Sequence, residues 1–222
     1  MQNPLVALVY SRQDATRNYL KLLRPGRNNE VNILVFLAKF DSPDNHAVWP
    51  VAARACESGT LLLLPDAGVC VSDYKHLRLQ FHSIAGQFLR GVAFLHEHGV
   101  AHCDLKPANL VVNQVTGSAT LIDFDLAVRG LDWLDGFTGT NGWTAPEVGQ
   151  VPRYNPMQAD VWSAGKVLRT LALDHPLSND REFLLGLGED MMANDSIARP
   201  SMKDVIERFD RYIELTFRAG DP

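Results

Sequence analysis

The stretch that decides the fold is residues 101–112, AHCDLKPANLVV. Within eight residues it gathers five side chains that can bond, titrate or coordinate: His102, Cys103, Asp104, Lys106 and Asn109. The apolar run at its end is typical of a buried strand. A connecting loop in solvent does not need such a mixture, so the stretch predicts a functional loop beside a strand.

The segments on either side of this loop define its surroundings. Between Tyr74 and His98, apolar residues recur every three or four positions, which predicts one amphipathic helix with Gly99 as its cap. After the loop, LVVNQVTGSATLID, residues 110–123, predicts a hairpin. Such a hairpin would bring Asp123 close to Asp104.

The predicted secondary structure changes near residue 70, from mainly strands to mainly helices. Before that point four segments predict strands: LVALVYS (5–11), NYLKLL (18–23), AVWPVA (47–52) and TLLLLP (60–65). A helix is predicted from Glu30, and beyond residue 70 the pattern is mainly helical, with a last helix from Ser201 to Phe217. We therefore predict an α+β fold with two lobes, residues 1–66 and 67–222. PDAGV, residues 65–69, would be the hinge.

Composition narrows the class of protein. The chain has 222 residues, of which 46% are apolar, and this suffices for a core in one domain or two small lobes. A net charge of −5 without a basic run argues against nucleic-acid or membrane partners. The start MQNPLVALVY lacks the features of a signal peptide, and the three cysteines are not spaced as metal ligands. We expect an intracellular protein, cytoplasmic or nuclear, with reduced thiols.

The residue types themselves suggest a reaction. Phosphoryl transfer needs a carboxylate that orients the attacking hydroxyl, oxygen ligands for magnesium, and a cation near the developing charge. Asp104, Asn109, Asp123 and Lys106 supply this set.

Several motifs, in the right order, resemble those of the eukaryotic protein kinase family from about Tyr19 onward. HCDLKPANL resembles the catalytic loop HRDLKxxN, and DFD resembles DFG. GTNGWTAPE resembles the end of an activation segment, and DVWSAG and RPS resemble later signatures of the C-terminal lobe. The resemblance implies a two-lobed kinase fold with a mainly helical C-terminal lobe and a reduced, β-rich N-terminal lobe that has fewer strands than the usual five. It also implies a protein that uses ATP and Mg2+ and acts on a protein substrate.

The resemblance also implies roles for individual residues. Asp104 would be the catalytic base, Lys106 would contact the γ-phosphate, and Asn109 and Asp123 would hold magnesium. Thr140, which precedes APE without an insertion, favours serine or threonine as the acceptor. Three other residues would be structural: an ion pair between Glu147 and Arg199, and Asp160 as an anchor of the catalytic loop.

The lysine that binds the ATP phosphates has two candidate positions. VALV resembles the usual VAIK strand but has Val9 where the lysine would stand, whereas YLKLL places Lys21 on a strand just before Glu30. We favour Lys21 paired with Glu30, although the linker between them is short. Asp66, in the predicted hinge, is counted with Lys21, Glu30 and Asp123 among the residues expected to bind the cofactor.

Departures from the family pattern keep other functions open. No glycine precedes Gly26, so the glycine-rich loop over the ATP phosphates is missing; Cys103 replaces an arginine, and Asp125 replaces the glycine of DFG. The missing loop favours a pseudokinase that serves as a binding module, whereas the retained Asp104, Asn109 and Asp123 favour an enzyme. A small-molecule phosphotransferase would share the same acidic residues but not TAPE and ARPS.

Overall fold

The computed structural model describes residues 5–74, 77–130, 133–174 and 179–219. The first part of the chain contains an antiparallel sheet and one helix: β1 (Leu5–Tyr10), β2 (Arg17–Leu23), α1 (Asn29–Leu37), β3 (Ala52–Cys56) and β4 (Gly59–Pro65). In space the strands follow the order β1-β2-β4-β3, so β2 lies inside the sheet. Leu23 and Leu62 from one face of the sheet share a buried core with Ile33 and Leu34 of α1.

The predicted N-terminal hairpin is confirmed. β1 and β2 pair without interruption from Leu5 opposite Leu22 to Tyr10 opposite Arg17. The sheet of the first part has four strands in the described ranges, fewer than the five usual in a kinase lobe, as the abbreviated sequence predicted.

The prediction of a strand at AVWPVA, residues 47–52, is wrong. The described chain begins β3 only at Ala52, and Ala47 makes an isolated parallel bridge with Leu121 from the second part. Val48 donates its N–H to the Leu121 carbonyl at 2.9 Å. Pro50 has no N–H to offer a neighbouring strand, which explains why a regular strand does not form across it.

β1 is an edge strand with little cover. Its residues Leu5, Val6, Leu8 and Tyr10 are between 45% and 74% exposed. The strand LVALVY contains no charged residue.

The second part is mainly helical, with short strands that frame the functional loop. Its elements in chain order are β5 (Val69–Cys70), α2 (Leu77–Glu97), β6 (Val100–Ala101), β7 (Leu110–Val112), β8 (Ala119–Leu121), β9 (Val128–Arg129), α3 (Pro156–Leu173), α4 (Asn179–Met191) and α5 (Met202–Ala219). β5, β7 and β8 form one small sheet, and β6 pairs with β9. The predicted hairpin at residues 110–123 is therefore present as β7 and β8.

Local sequence explains these helices. The predicted stripe of α2 is buried, including Phe88, Val92 and Leu95, and the chain turns at Gly99 with a φ of 69°. α5 follows a capping box, because Ser201 and Asp204 bond each other's backbone N–H groups at 3.1 and 3.2 Å. In the described part of the chain, no helix has both the length and the apolar character needed to cross a bilayer.

Candidate active site

The loop between β6 and β7 brings four of the predicted catalytic residues into contact. Asp104 accepts a hydrogen bond from the Thr140 hydroxyl at 2.7 Å, and the Lys106 ammonium lies 2.6 Å from the other carboxylate oxygen. Lys106 also donates to the Thr140 hydroxyl at 2.7 Å. Asn109 donates its amide N–H to the Asp104 carbonyl at 2.9 Å. These contacts fix the orientation of the Asp104 carboxylate, which is 8% exposed.

A residue of α3, Asp160, binds the backbone of this loop. Asp160 is buried and accepts the N–H groups of His102 at 2.6 Å and Cys103 at 2.8 Å. Cys103 has a φ of 61°, a strained value for a residue with a side chain. The two hydrogen bonds that Asp160 accepts stabilise that conformation, as predicted for this residue.

His102 links the loop to the segment that carries Asp123. Its Nδ1 accepts the Asp104 N–H at 3.3 Å, so Nε2 carries the proton and donates to the Ile122 carbonyl at 3.1 Å. The Ile122 N–H in turn donates to the Asn109 carbonyl at 3.0 Å. The two acidic loops are therefore joined by hydrogen bonds, and His102 has a structural position.

Asn109 and Asp123 are chemically suited to a divalent cation. The Asn109 amide nitrogen donates to Asp104, and its side-chain oxygen is a possible metal ligand. The Asp123 side chain is 41% exposed and carries a second carboxylate oxygen besides the one on Lys21. Magnesium prefers oxygen ligands of this kind and keeps several waters, so these residues fit the expected ion.

The structure brings Lys21, and not Val9, to the predicted acidic partner. Lys21 lies on β2 with its ammonium 2.7 Å from Glu30 of α1, and the two side chains are 7% and 0% exposed. The same ammonium lies 2.8 Å from Asp123. The predicted geometry of the Lys21–Glu30 pair is thus confirmed despite the short linker. Val9 stands on the edge strand β1 opposite Asn18.

A third carboxylate at this ammonium was not predicted. Asp125 lies 3.3 Å from the Lys21 nitrogen. Asn29, also unpredicted, donates its amide to the carbonyl oxygens of Asp125 at 3.2 Å and Ala127 at 2.6 Å. The signal in the sequence was the second aspartate of DFD, where the kinase pattern has glycine.

Burial and charge act in opposite directions on this network. Burial alone would lower the pKa of Lys21, but the attraction of Glu30 and Asp123 outweighs it and raises that pKa above its ordinary value. Burial raises the pKa of Glu30, and the nearby Lys21 opposes that rise. Lys21 therefore stays a cation at neutral pH.

Asp66 contacts residues other than those of the Lys21 network. Its carboxylate pairs with Arg17 at 2.9 Å and accepts the Gly68 N–H at 3.2 Å. The structure thus ties Asp66 to the start of β2, and its role at the cofactor stays a prediction.

The segment around Thr140 is anchored by a buried ion pair. Arg199 donates to both oxygens of Glu147 at 2.6 and 2.8 Å, as the sequence predicted. It also donates to the carbonyls of Ala193 at 2.8 Å and Gln158 at 2.9 Å. Cys103 supplies no charge beside this segment, because burial raises the pKa of its thiol and keeps it neutral.

Comparison with known proteins agrees with this site. The family model described as "Protein kinase domain" matches residues 32–209. The chain is 32% identical over 187 residues to the RAF proto-oncogene serine/threonine-protein kinase of Xenopus laevis. The matched region covers 78% of this chain and 28% of that protein. It is 31% identical over 170 residues to the serine/threonine-protein kinase chk1 of Schizosaccharomyces pombe. This match covers 71% of the chain and 32% of the relative.

A third relative carries the same kind of name. The probable serine/threonine-protein kinase HAL5-like of Eremothecium gossypii is 32% identical over 155 residues, which covers 66% of this chain and 22% of that protein. The chain spans about a third or less of the length of these three relatives.

Proposed function

Because the chain belongs to the protein kinase family, we propose that it transfers the γ-phosphoryl group of ATP to serine or threonine hydroxyls of a protein. The observation that carries this proposal is the connected set formed by Asp104, Lys106, Asn109 and Thr140. A chain that kept only the fold would not need these side chains in mutual contact.

Asp104 is the proposed base that orients the acceptor hydroxyl. Its carboxylate already accepts a hydrogen bond from one hydroxyl, that of Thr140, at 2.7 Å. This contact supports the idea that a serine or threonine hydroxyl of the substrate binds there in the same way. Lys106, at 2.6 Å from the carboxylate, places a positive charge where the transferred group becomes more negative.

Magnesium and ATP are proposed as the cofactors, with Asn109, Asp123 and Lys21 as the binding residues. Bound magnesium would neutralise charge on the β- and γ-phosphates, and Asn109 and Asp123 would hold it. Lys21 and Glu30 would orient the phosphates from the side of β2. The proposed nucleotide position lies between residues 1–66 and 67–222, treated as two lobes with the hinge at residues 65–69, where Asp66 would approach the cofactor.

A pseudokinase is the second candidate, and one observation favours it. The connection from β1 to β2, residues 11–16, contains no glycine, so it lacks the backbone freedom with which a glycine-rich loop covers phosphates with its N–H groups. Weak nucleotide binding follows from this, so turnover by the wild-type chain must be measured near saturating ATP.

The two aspartates separate the candidates because their proposed roles differ. Asp123→Asn should weaken magnesium-dependent ATP binding and turnover together. Asp104→Asn should leave folding and binding intact and lower phosphoryl transfer to a serine/threonine peptide mixture by about 100-fold or more.

Asp135→Asn is the matched control. Its carboxylate is 78% exposed and pairs only loosely with Arg153, at 3.4 Å, so activity should not change. If wild type and Asp104→Asn are equally inactive at saturating ATP while both bind nucleotide, the enzyme proposal is wrong and the pseudokinase takes its place.

A further inference from the structure

The ammonium of Lys21 has as many carboxylates around it as it has hydrogens. Oxygens of Glu30, Asp123 and Asp125 lie 2.7, 2.8 and 3.3 Å from the nitrogen. An ammonium group has three N–H donors, and here the contact with Asp123 is a hydrogen bond, whereas Glu30 and Asp125 are ion-pair partners. A phosphate oxygen that approaches Lys21 therefore meets three carboxylate oxygens within 3.3 Å of the nitrogen.

Asp125 is held in this position by two residues of α1 that are distant in sequence. Asn29 of α1 donates to the Asp125 carbonyl at 3.2 Å, and Glu30 accepts the Phe124 N–H at 3.2 Å. The Phe124 ring between them is completely buried. Two residues of one helix thus anchor the backbone on both sides of Phe124, and the contact between Asp125 and Lys21 follows from that anchoring.

The charges of this network do not balance. Burial raises the pKa of Glu30 and favours its neutral form, yet the carboxylates of Asp123 and Asp125 alone outnumber the one ammonium, which leaves an excess of negative charge. Glu30 is buried, but the side chains of Asp123 and Asp125 are 41% and 34% exposed, so the excess faces solvent beside Lys21. A nucleoside triphosphate without a metal ion is itself strongly negative, and these two carboxylates oppose its approach.

We infer that Asp125 is a specificity-determining residue that makes the site select the metal-bound form of a nucleoside triphosphate. The inference rests on the proposed function, because it places the phosphates at Lys21. A divalent cation carried with the phosphates changes repulsion by Asp125 into attraction. Without Asp125, one negative charge and one ion-pair partner of Lys21 are removed, and metal-free nucleotide binds more easily.

Calorimetric titration with ATP tests this inference, once in EDTA and once in excess magnesium. The quantity compared is the ratio of the two dissociation constants, without metal over with metal. Asp125→Asn should lower this ratio by about tenfold relative to wild type. Asp125→Glu keeps the charge and should keep the ratio, which a merely structural role would not predict.

Glu57→Gln is the matched control for removal of one charge. Glu57 lies exposed in the turn between β3 and β4, so its variant should show the wild-type ratio. Thermal unfolding of each variant checks that it folds. If Asp125→Asn does not fold, Asp125→Gly, which removes the side chain entirely, carries the same expectation.

Each outcome decides the question. An unchanged ratio in the folded uncharged variants overturns the inference, and so does a lowered ratio in Asp125→Glu. If wild type binds ATP in neither buffer, the inference and the nucleotide part of the proposed function fail together. If ATP binds but turnover is absent, the proposed function fails alone, because the ratio is measured by binding and still reports on Asp125.

Discussion

Replacing Arg199 by methionine should be among the most destabilising single changes in this protein. The Arg199 side chain is fully buried and makes four hydrogen bonds, two of them to Glu147. Methionine has a similar length but no donor, so the Glu147 carboxylate would lose its cation while 14% exposed. Breaking a buried pair in this way costs about 3 to 5 kcal/mol. For a domain of this size, that corresponds to a fall in Tm of about 6 to 20 °C.

The assay is reversible urea unfolding, with thermal unfolding as a second measure. Arg153→Met serves as control, because Arg153 is 64% exposed and its pair with Asp135 should be worth less than about 1 kcal/mol. The double variant Arg199→Met with Glu147→Met removes both charges and should recover part of the loss. The reasoning would be refuted if Arg199→Met cost less than about 1 kcal/mol. It would also be refuted if the double variant lost more unfolding free energy than the two single variants together.

Three other changes test the surroundings of the site. Gly68→Ala should lower the free energy of unfolding in urea by about 2 kcal/mol or more, because the new Cβ would lie 2.1 Å from the Val112 carbonyl oxygen and Gly68 has a φ of 132°. Gly26→Ala is the control and should cost less, because Gly26 has a φ of 78° but no atom within 4 Å of the new Cβ. Asp160→Asn should lower turnover by about 100-fold in a folded chain, because two backbone N–H groups of the catalytic loop lose their anion; unchanged kcat would contradict this. Thr138→Ala and Thr138→Glu should stay within a few fold of wild-type activity, because the neutral Cys103 thiol cannot pair with an added charge; a large change in a peptide assay would show otherwise.

The parts of the fold that sequence predicted are those fixed by local pattern. α2 and the β7–β8 hairpin follow from apolar spacing and turn residues within a short window. The strand assigned to residues 47–52 failed because the extended chain there bonds to Leu121, more than 70 positions away in sequence. β3, AARAC, has five exposed residues and no alternating pattern, so only its pairing with β4 identifies it.

In the candidate site, too, the residues within one short loop were predictable and the contacts between distant residues were not. Asp104, Lys106 and Asn109 were predictable because they lie in one short loop whose spacing carries the chemistry. Asp125 was not, because its position depends on Asn29, 96 residues earlier in the chain. A motif shows which residues are present, whereas contacts across the whole chain decide what surrounds them.

The short sheet also has a consequence for how the protein behaves in a test tube. Outer strands normally carry a lysine, a proline or a bulge that discourages pairing with other molecules. β1 has none of these: its six residues are uncharged, and each pairs in register with β2. Among the described residues β1 is the outer strand of its sheet, and its edge is a template for intermolecular β-pairing, so aggregation should increase with protein concentration more steeply than a net charge of −5 suggests. We therefore expect this strand to limit the concentration at which the protein stays dispersed, and Ala7→Lys is the first substitution to make when concentrated samples are needed.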